Sequence, residues 1–314
     1  MALCALILAS CGSSPPALVA PSPVIARVAS QTVTLAQFDT RYHSALITLV
    51  QGGAPLNDPA QTTALRATIL RSLIVDTVIR EEAVKLGLEA TPAEIQAEIA
   101  IDAQQAGGMS ALQTELAGVG GSIAQLEDEI RASLNEQRVE NYYAQARAAL
   151  IEKILATGAN FATTARSFSD DTGTSTTGTG TSAKGGDLGI LTAAQLKTYD
   201  PAFSAAVQAL GVNAYTRTPI HDAGGYDILM VYSKSAKGWG VRHLLVYAGT
   251  PYNVTDRPAW FTESLFTAIR GLCTLNEITV TLNNAGGNPC TSPSPSPTPA
   301  NPSPTATPAA KPGG

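Results

Sequence analysis

The ionisable side chains that could do chemistry in this chain sit on four short motifs. These are Phe168-Ser169-Asp170-Asp171, Gly185-Gly186-Asp187-Leu188-Gly189, Gly224-Gly225-Tyr226-Asp227-Ile228-Leu229 and Val241-Arg242-His243-Leu244-Leu245-Val246. A carboxylate accepts hydrogen bonds but cannot donate at neutral pH as a neutral imidazole does, unless burial raises its pKa strongly. Two carboxylates brought together raise one apparent pKa of the pair. The paired glycines at 185 and 186 suit a tight turn with close backbone approach. With three histidines and four cysteines in 314 residues, a metal centre is not expected, and no cofactor is implied. Lys and Arg total 20 against 25 Asp and Glu, for a net charge of -5, and no basic run stands out. Phosphate contacts need clustered Lys and Arg, so nucleic acid is excluded as a partner.

The elements that must position these groups follow from periodicity. Val24-Ile-Ala-Arg-Val28 and Gln31-Thr-Val-Thr-Leu35 alternate as strands. A helix follows from Phe38 to about Val50. The next, Gln61 to Leu86, carries Leu65, Ile69 and Leu73 beside Leu70, Ile74 and Val78, a broad buried stripe, and Gly87 stops it. Thr91-Pro92-Ala93-Glu94 reads as a capping box with proline in the first turn, opening a helix that ends near Gly107-Gly108. A short helix spans Ser110 to Leu116. From Ser122 to Thr157 there is neither Gly nor Pro; one continuous helix there would be about 54 Å long and would bridge two lobes. Asp170 to Lys184 is mostly Thr, Ser and Gly, a flexible loop with nothing to bury. A helix from about Arg257 to Leu272 and a strand Glu277–Leu282 come last, before a Pro-rich tail, 291–314, expected to be disordered.

In two regions the pieces, taken in order, resemble known families. Val24 to Phe38, with Leu70-Arg-Ser-Leu-Ile74 through Ala83-Val-Lys-Leu-Gly87, resembles the N-terminal chaperone domain of SurA and PrsA-type foldases. Gly158-Ala159-Asn160-Phe161 with Ala165 and Phe168-Ser169, the Gly185–Gly189 turn, Pro201-Ala202-Phe203 with Ala206–Leu210, and Gly225–Val231 resemble the parvulin family of peptidyl-prolyl isomerases. The resemblance implies an α+β fold: a helical chaperone lobe over 24–143, completed by 256–290, plus a small antiparallel-sheet parvulin-like domain over 144–250. It also implies rotation about X-Pro amides, with Leu196 and Phe203 as an apolar cup for the proline ring and Asp171 in the hydrogen-bonding floor. For Leu196 and Phe203 the alternative is plain core packing, and for Asp171 a solvated loop carboxylate.

Two departures bear on activity. Asp227 stands where the family's terminal strand has a histidine. The family's leading "RHILV" strand, with its other histidine, is missing before Ala149-Leu150-Ile151, yet Val241–Val246 follows the terminal strand. Since first and last strands are neighbours in that sheet, one hairpin could fill both slots, a permutation that returns His243 to the site. The alternative is a chance strand with a surface histidine. His221, in a turn, and His43, on the first helix, read as structural or exposed.

Leu8-Ala9-Ser10-Cys11 resembles the bacterial lipobox, which implies a signal peptide over 1–11, a lipidated Cys11, a tether over 12–23 and a membrane-anchored, extracytoplasmic lipoprotein. No Lys or Arg precedes the apolar run, which points to a start codon upstream. Cys273 and Cys290 would then be free to pair as a disulfide, with two unrelated thiols as the alternative. The combined expectation is an isomerase and chaperone for unfolded or exported polypeptides containing X-Pro bonds, anchored by lipid. The alternatives are a non-catalytic peptide-binding holdase and, more remotely, a structural envelope lipoprotein.

Overall fold

The computed structural model describes residues 21–53, 58–171, 180–248, 257–282 and 286–291. Cys11, the lipobox and nearly all of the Pro-rich tail lie outside the described residues. Two strands open the fold, β1 (Val24–Val28) and β2 (Gln31–Thr34), paired antiparallel with Val28 opposite Gln31. Thr34 caps α1 (Leu35–Gln51) through a capping box with Gln37. The helix therefore starts three residues before Phe38, because the cap's own hydrogen bonds fix the boundary. Asp58 caps α2 (Pro59–Leu86), and Gly87 in the left-handed conformation ends it. The Thr91–Glu94 capping box starts α3 (Pro92–Ala106), and α4 (Met109–Gly118) follows.

Ser122 caps α5 (Ile123–Ala156), a single helix of 34 residues, which at 1.5 Å per residue is about 51 Å long. Leu126, Ile130 and Leu134 on its first half pack against α3 and α4. On its second half Ala144, Ala148, Ile151 and Leu155, spaced along one face, are buried under the second sheet. Small alanines let the sheet approach closely. One helix thus joins two lobes.

The second lobe continues with α6 (Phe161–Phe168), a 3-10 turn (Ser182–Lys184), β3 (Asp187–Leu191), α7 (Ala193–Leu196), α8 (Pro201–Ala209), β4 (Ala214–Tyr215), β5 (Ile220–Asp222), β6 (Gly225–Ser235) and β7 (Gly238–Tyr247). Its sheet has the order β3-β7-β6-β4, with β5 also on β6, and every pairing is antiparallel. After it, α9 (Ala259–Thr274) and β8 (Ile278–Val280) return to the first lobe. β8 adds to β1, giving the order β2-β1-β8. Ile269, Leu272 and Ile278 join Ile25, Phe38, Leu70 and Ile74 in one core. Among the described residues no helix is long and apolar enough to cross a membrane.

Two side-chain pairs tie the returning segment down. Arg257 grips Glu136 of α5 with two guanidinium hydrogen bonds, a bidentate geometry. Cys273 and Cys290 are joined as a disulfide across 17 residues of chain. A closed loop of that size stabilises the folded state by about 3 kcal/mol in the chain-entropy model. Replacing both cysteines by serine is therefore expected to cost about 3 kcal/mol in the first lobe. The check is urea unfolding followed by hydrogen exchange at β1 and β8; an unchanged midpoint would show that the crosslink contributes nothing.

Candidate functional site

β6 and β7 place the ionisable groups. In their register Leu229 lies opposite His243 and Asp227 opposite Leu245. Residues opposite each other, or two apart, share a face of a sheet. Asp227, Leu229, Val231, Val241 and His243 therefore look one way, towards α7 and α8. Ile228, Leu244 and Val246 look the other way, onto α5 and α6. β7 is the central strand between β3 and β6.

His243 is buried, at 9% exposure, with both ring nitrogens engaged. Nδ1 lies 2.9 Å from Asp227 Oδ1 and Nε2 lies 2.9 Å from Asp171 Oδ2. Thr181 Oγ1 donates to Asp171 Oδ2 at 2.5 Å, the Thr181 N–H donates to the same oxygen at 3.0 Å, and the hydroxyl stands 2.8 Å from His243 Nε2. With its proton given to Asp171, that hydroxyl can only accept from Nε2–H. Nε2 therefore carries a proton, while Nδ1 faces Asp227 Oδ1.

The charges agree with this geometry. Burial alone pushes the His243 pKa down, but the hydrogen bonds and charges of Asp171 and Asp227 outweigh it and hold the ring at about 9. Burial pushes Asp171 up, yet bonds from His243 and Thr181 win and lower it. Asp227, deeper at 4% exposure, is raised by burial against the pull of His243, with the Asp222 carboxyl beside it adding to the rise. Asp171 keeps the more exposed edge of the triad, with its side chain 26% accessible. Among the described residues no group of three or more His, Cys, Asp or Glu is arranged to hold a metal ion.

The glycine turn is built around His243. The His243 N–H donates to the Gly186 carbonyl at 2.8 Å. A Cβ on Gly186, whose φ is +76°, would sit 2.0 Å from the His243 carbonyl oxygen. Arg242 donates to the Lys184 and Gly185 carbonyls and pairs with Asp187 at 3.6 Å. The strand that carries the imidazole thus also fixes the turn.

Leu196 and Phe203 are brought together beside this floor, but both are fully buried, at 1% and 2% exposure. Tyr199 stacks on Phe203 with centroids 4.6 Å apart and planes 16° off parallel. Of the two readings, cup and core packing, the residues are in the packed state, because Tyr199, in the bend between α7 and α8, covers the apolar ring of Phe203. Burial and then the charges of Asp227 and Asp171 raise the Tyr199 pKa.

Two polar residues escaped the sequence reading, Thr181 and Tyr199, and Asp170 was noted in its motif without a role. Asp170 accepts from Trp260 Nε1 of α9 at 2.8 Å and from the Tyr247 N–H at 3.0 Å, while burial raises its pKa. Residues 180–184 form an ordered turn with Thr181 and Ser182 buried, so this part of the expected flexible loop is corrected: Asp171 organises it. Residues 172–179 lie outside the described residues. His221 lies on β5 rather than in a turn, exposed and packed on Tyr226 at 4.7 Å, and His43 lies on α1.

Comparisons with known families agree with this layout. Residues 3–140 match the model described as a SurA-like N-terminal domain, and residues 130–233 match the PPIC-type PPIASE domain. Together the two matches support a SurA/PrsA-like parvulin foldase. A search of curated proteins found no match. The parvulin match begins within α5 and ends on β6, so β7 and His243 lie beyond it.

Two outcomes follow for this parvulin site. Because the folded-state pKa of His243 is raised above 6.5 to about 9, the stability it contributes is complete below pH 6.5 and is lost as pH rises towards 9. Nuclear magnetic resonance of the His243 ring is expected to show titration near that higher value, and unfolding curves should weaken over the same window; a ring titrating near 6.5 would contradict both. Gly186→Ala is expected to cost at least about 2 kcal/mol, from strain at positive φ and the clash with the His243 carbonyl, read from urea midpoints.

Proposed function

We propose that the protein is an extracytoplasmic foldase whose parvulin site catalyses cis-trans rotation about X-Pro bonds of exported polypeptides, held at the membrane by lipid on Cys11. The observation that carries the isomerase reading is His243 held between Asp171 and Asp227 at 2.9 Å on each side. The barrier to rotation is about 18–20 kcal/mol because the planar amide has partial double-bond character. Neither nucleophile nor metal is needed to lower it. Planarity is favoured by charge separation, with the carbonyl oxygen negative and the nitrogen positive. A fixed carboxylate near that oxygen disfavours the planar form, and removing water beside an apolar surface weakens it further. Asp171 suits this role: it is ionised, it is locked by Thr181 and His243, and it holds the accessible edge. His243 and Asp227 act behind it as a charge-balanced base that keeps the Asp171 carboxylate in place. Leu196 and Phe203 supply the apolar surface once the Tyr199 ring moves off.

Lipid anchoring is supported by the Leu8–Cys11 motif, and an extracytoplasmic setting by the Cys273–Cys290 disulfide, since such bonds persist in oxidising compartments. The closed packing of Tyr199 over Phe203 favours a second reading, a holdase whose parvulin fold binds peptides without turning them over.

A protease-coupled assay on prolyl peptides separates the two. The full chain is expected to raise the cis-to-trans rate above its spontaneous value, and Asp171→Asn and His243→Ala to lower that gain by at least about tenfold, or 1.36 kcal/mol of barrier. If the wild-type chain leaves the spontaneous rate unchanged, the catalytic reading fails. Suppression of client aggregation under the same conditions would then support the holdase.

A further inference from the structure

The outer edge of β7 outruns its neighbour. β3 pairs with β7 from Trp239 to Arg242, and the Gly186 carbonyl takes the His243 N–H at 2.8 Å. Beyond that point no strand among the described residues lies on this side of Leu245 and Tyr247, yet their backbone groups still need partners. Ser169 and Asp170, where the chain leaves α6, supply them. The Leu245 N–H donates to Ser169 Oγ at 3.1 Å, and the Tyr247 N–H donates to Asp170 Oδ2 at 3.0 Å. The Asp170 N–H donates to the Leu245 carbonyl at 2.8 Å. Two side chains and one backbone group thus stand in for the missing strand. Their register also sets Asp171, the next residue, whose carboxylate meets His243 two residues back along β7.

The Asp170 carboxyl is in turn held from outside the second lobe. Trp260 Nε1 donates to the same Oδ2 at 2.8 Å. Trp260 stands near the start of α9, and contacts on either side of it tie that segment down. Arg257 bonds to Glu136 of α5. Phe261 is wholly buried with Leu265 among Ile79, Ala83 and Val139. The Arg147 guanidinium of α5 lies over the Trp260 and Phe168 rings at 5.6 and 5.9 Å, which fixes the indole with its N–H towards Asp170.

We infer that Asp170 and Trp260 are positioning residues for Asp171, so that α9, returning to the first lobe, completes the site on the second. The consequence for catalysis rests on the isomerase reading; the placement of Asp171 against His243 does not.

Trp260→Phe in the full chain tests this, because it keeps a ring and removes the N–H. With Asp171 less well placed, the His243 ring loses part of the bonding that holds its pKa at about 9. Nuclear magnetic resonance is expected to show the His243 midpoint lowered by at least about 0.5 pH units, with weaker cross-peaks to the Thr181 methyl group. Asp170→Ala should lower it likewise, whereas Asp170→Asn, which keeps an oxygen for both donors, should retain the wild-type midpoint. Ile269→Val loosens α9 nine residues further on, in the first-lobe core, and should leave the ring unmoved. In the prolyl peptide assay Trp260→Phe is expected to lower kcat about threefold with KM little changed. A His243 midpoint in Trp260→Phe equal to the wild type, or an equal shift in Ile269→Val, would overturn the proposal. A wild-type chain without isomerase activity whose ring still responds to Trp260→Phe would sink the isomerase reading and leave the positioning intact. Should Asp170→Ala fail to fold by circular dichroism, Trp260→Phe against Ile269→Val decides.

Discussion

A single cross-strand arrangement governs the second lobe. β6 and β7 pair so that His243 lies diagonal to Asp227 on one sheet face, with both side chains pointing to the same side. Asp171 reaches the other ring nitrogen from the end of α6's exit. Burying the His243 ring between carboxylates is tolerable because each ring nitrogen meets a carboxylate and Asp171 also accepts from Thr181; removing one member of such a buried set typically costs about 3–5 kcal/mol. The turn at Gly185–Gly186, the ordering of Thr181 and the position of Asp171 all lean on this one strand. A chain that had lost its leading strand would have no polar floor. Here β7 supplies the imidazole that meets Asp171 and Asp227.

The helix α5 and the returning segment give the two lobes a shared frame. α5 contributes to the cores of both lobes. Trp260 on α9, whose neighbours Phe261 and Leu265 pack against α2 and α5, donates to Asp170, one residue before Asp171. Arg147 of α5 lies over the rings of Phe168 and Trp260 at 5.9 and 5.6 Å. The acidic floor therefore sits one peptide unit from a hydrogen bond made by the chaperone lobe.

Much of the fold was legible in the residues. The helices carry strong local signals: capping boxes at Thr91 and a glycine stop at Gly87, and a 34-residue run without a breaker for α5. Alternation gave β1 and β2, and the Val241–Val246 pattern located β7. The site was half legible. Asp171, Asp227 and His243 stood out because the resemblance to parvulins aligns them with the family's polar floor. Thr181 did not, since one threonine in a Thr, Ser and Gly stretch has no pattern; only Asp171 selects it. Tyr199 was hidden for a different reason. Its stacking on Phe203 depends on how α7 turns into α8, which no period in the sequence encodes.

The account's central claim is spatial: an imidazole from β7 sits between two carboxylates supplied by distant parts of the chain. Nuclear Overhauser contacts between the His243 ring protons and the Thr181 methyl group, measured on the full chain at neutral pH, test it most directly. The 2.8 Å approach of Thr181 Oγ1 to His243 Nε2 predicts strong cross-peaks. Their absence, with the ring in contact with solvent or another face of the sheet, would contradict the account.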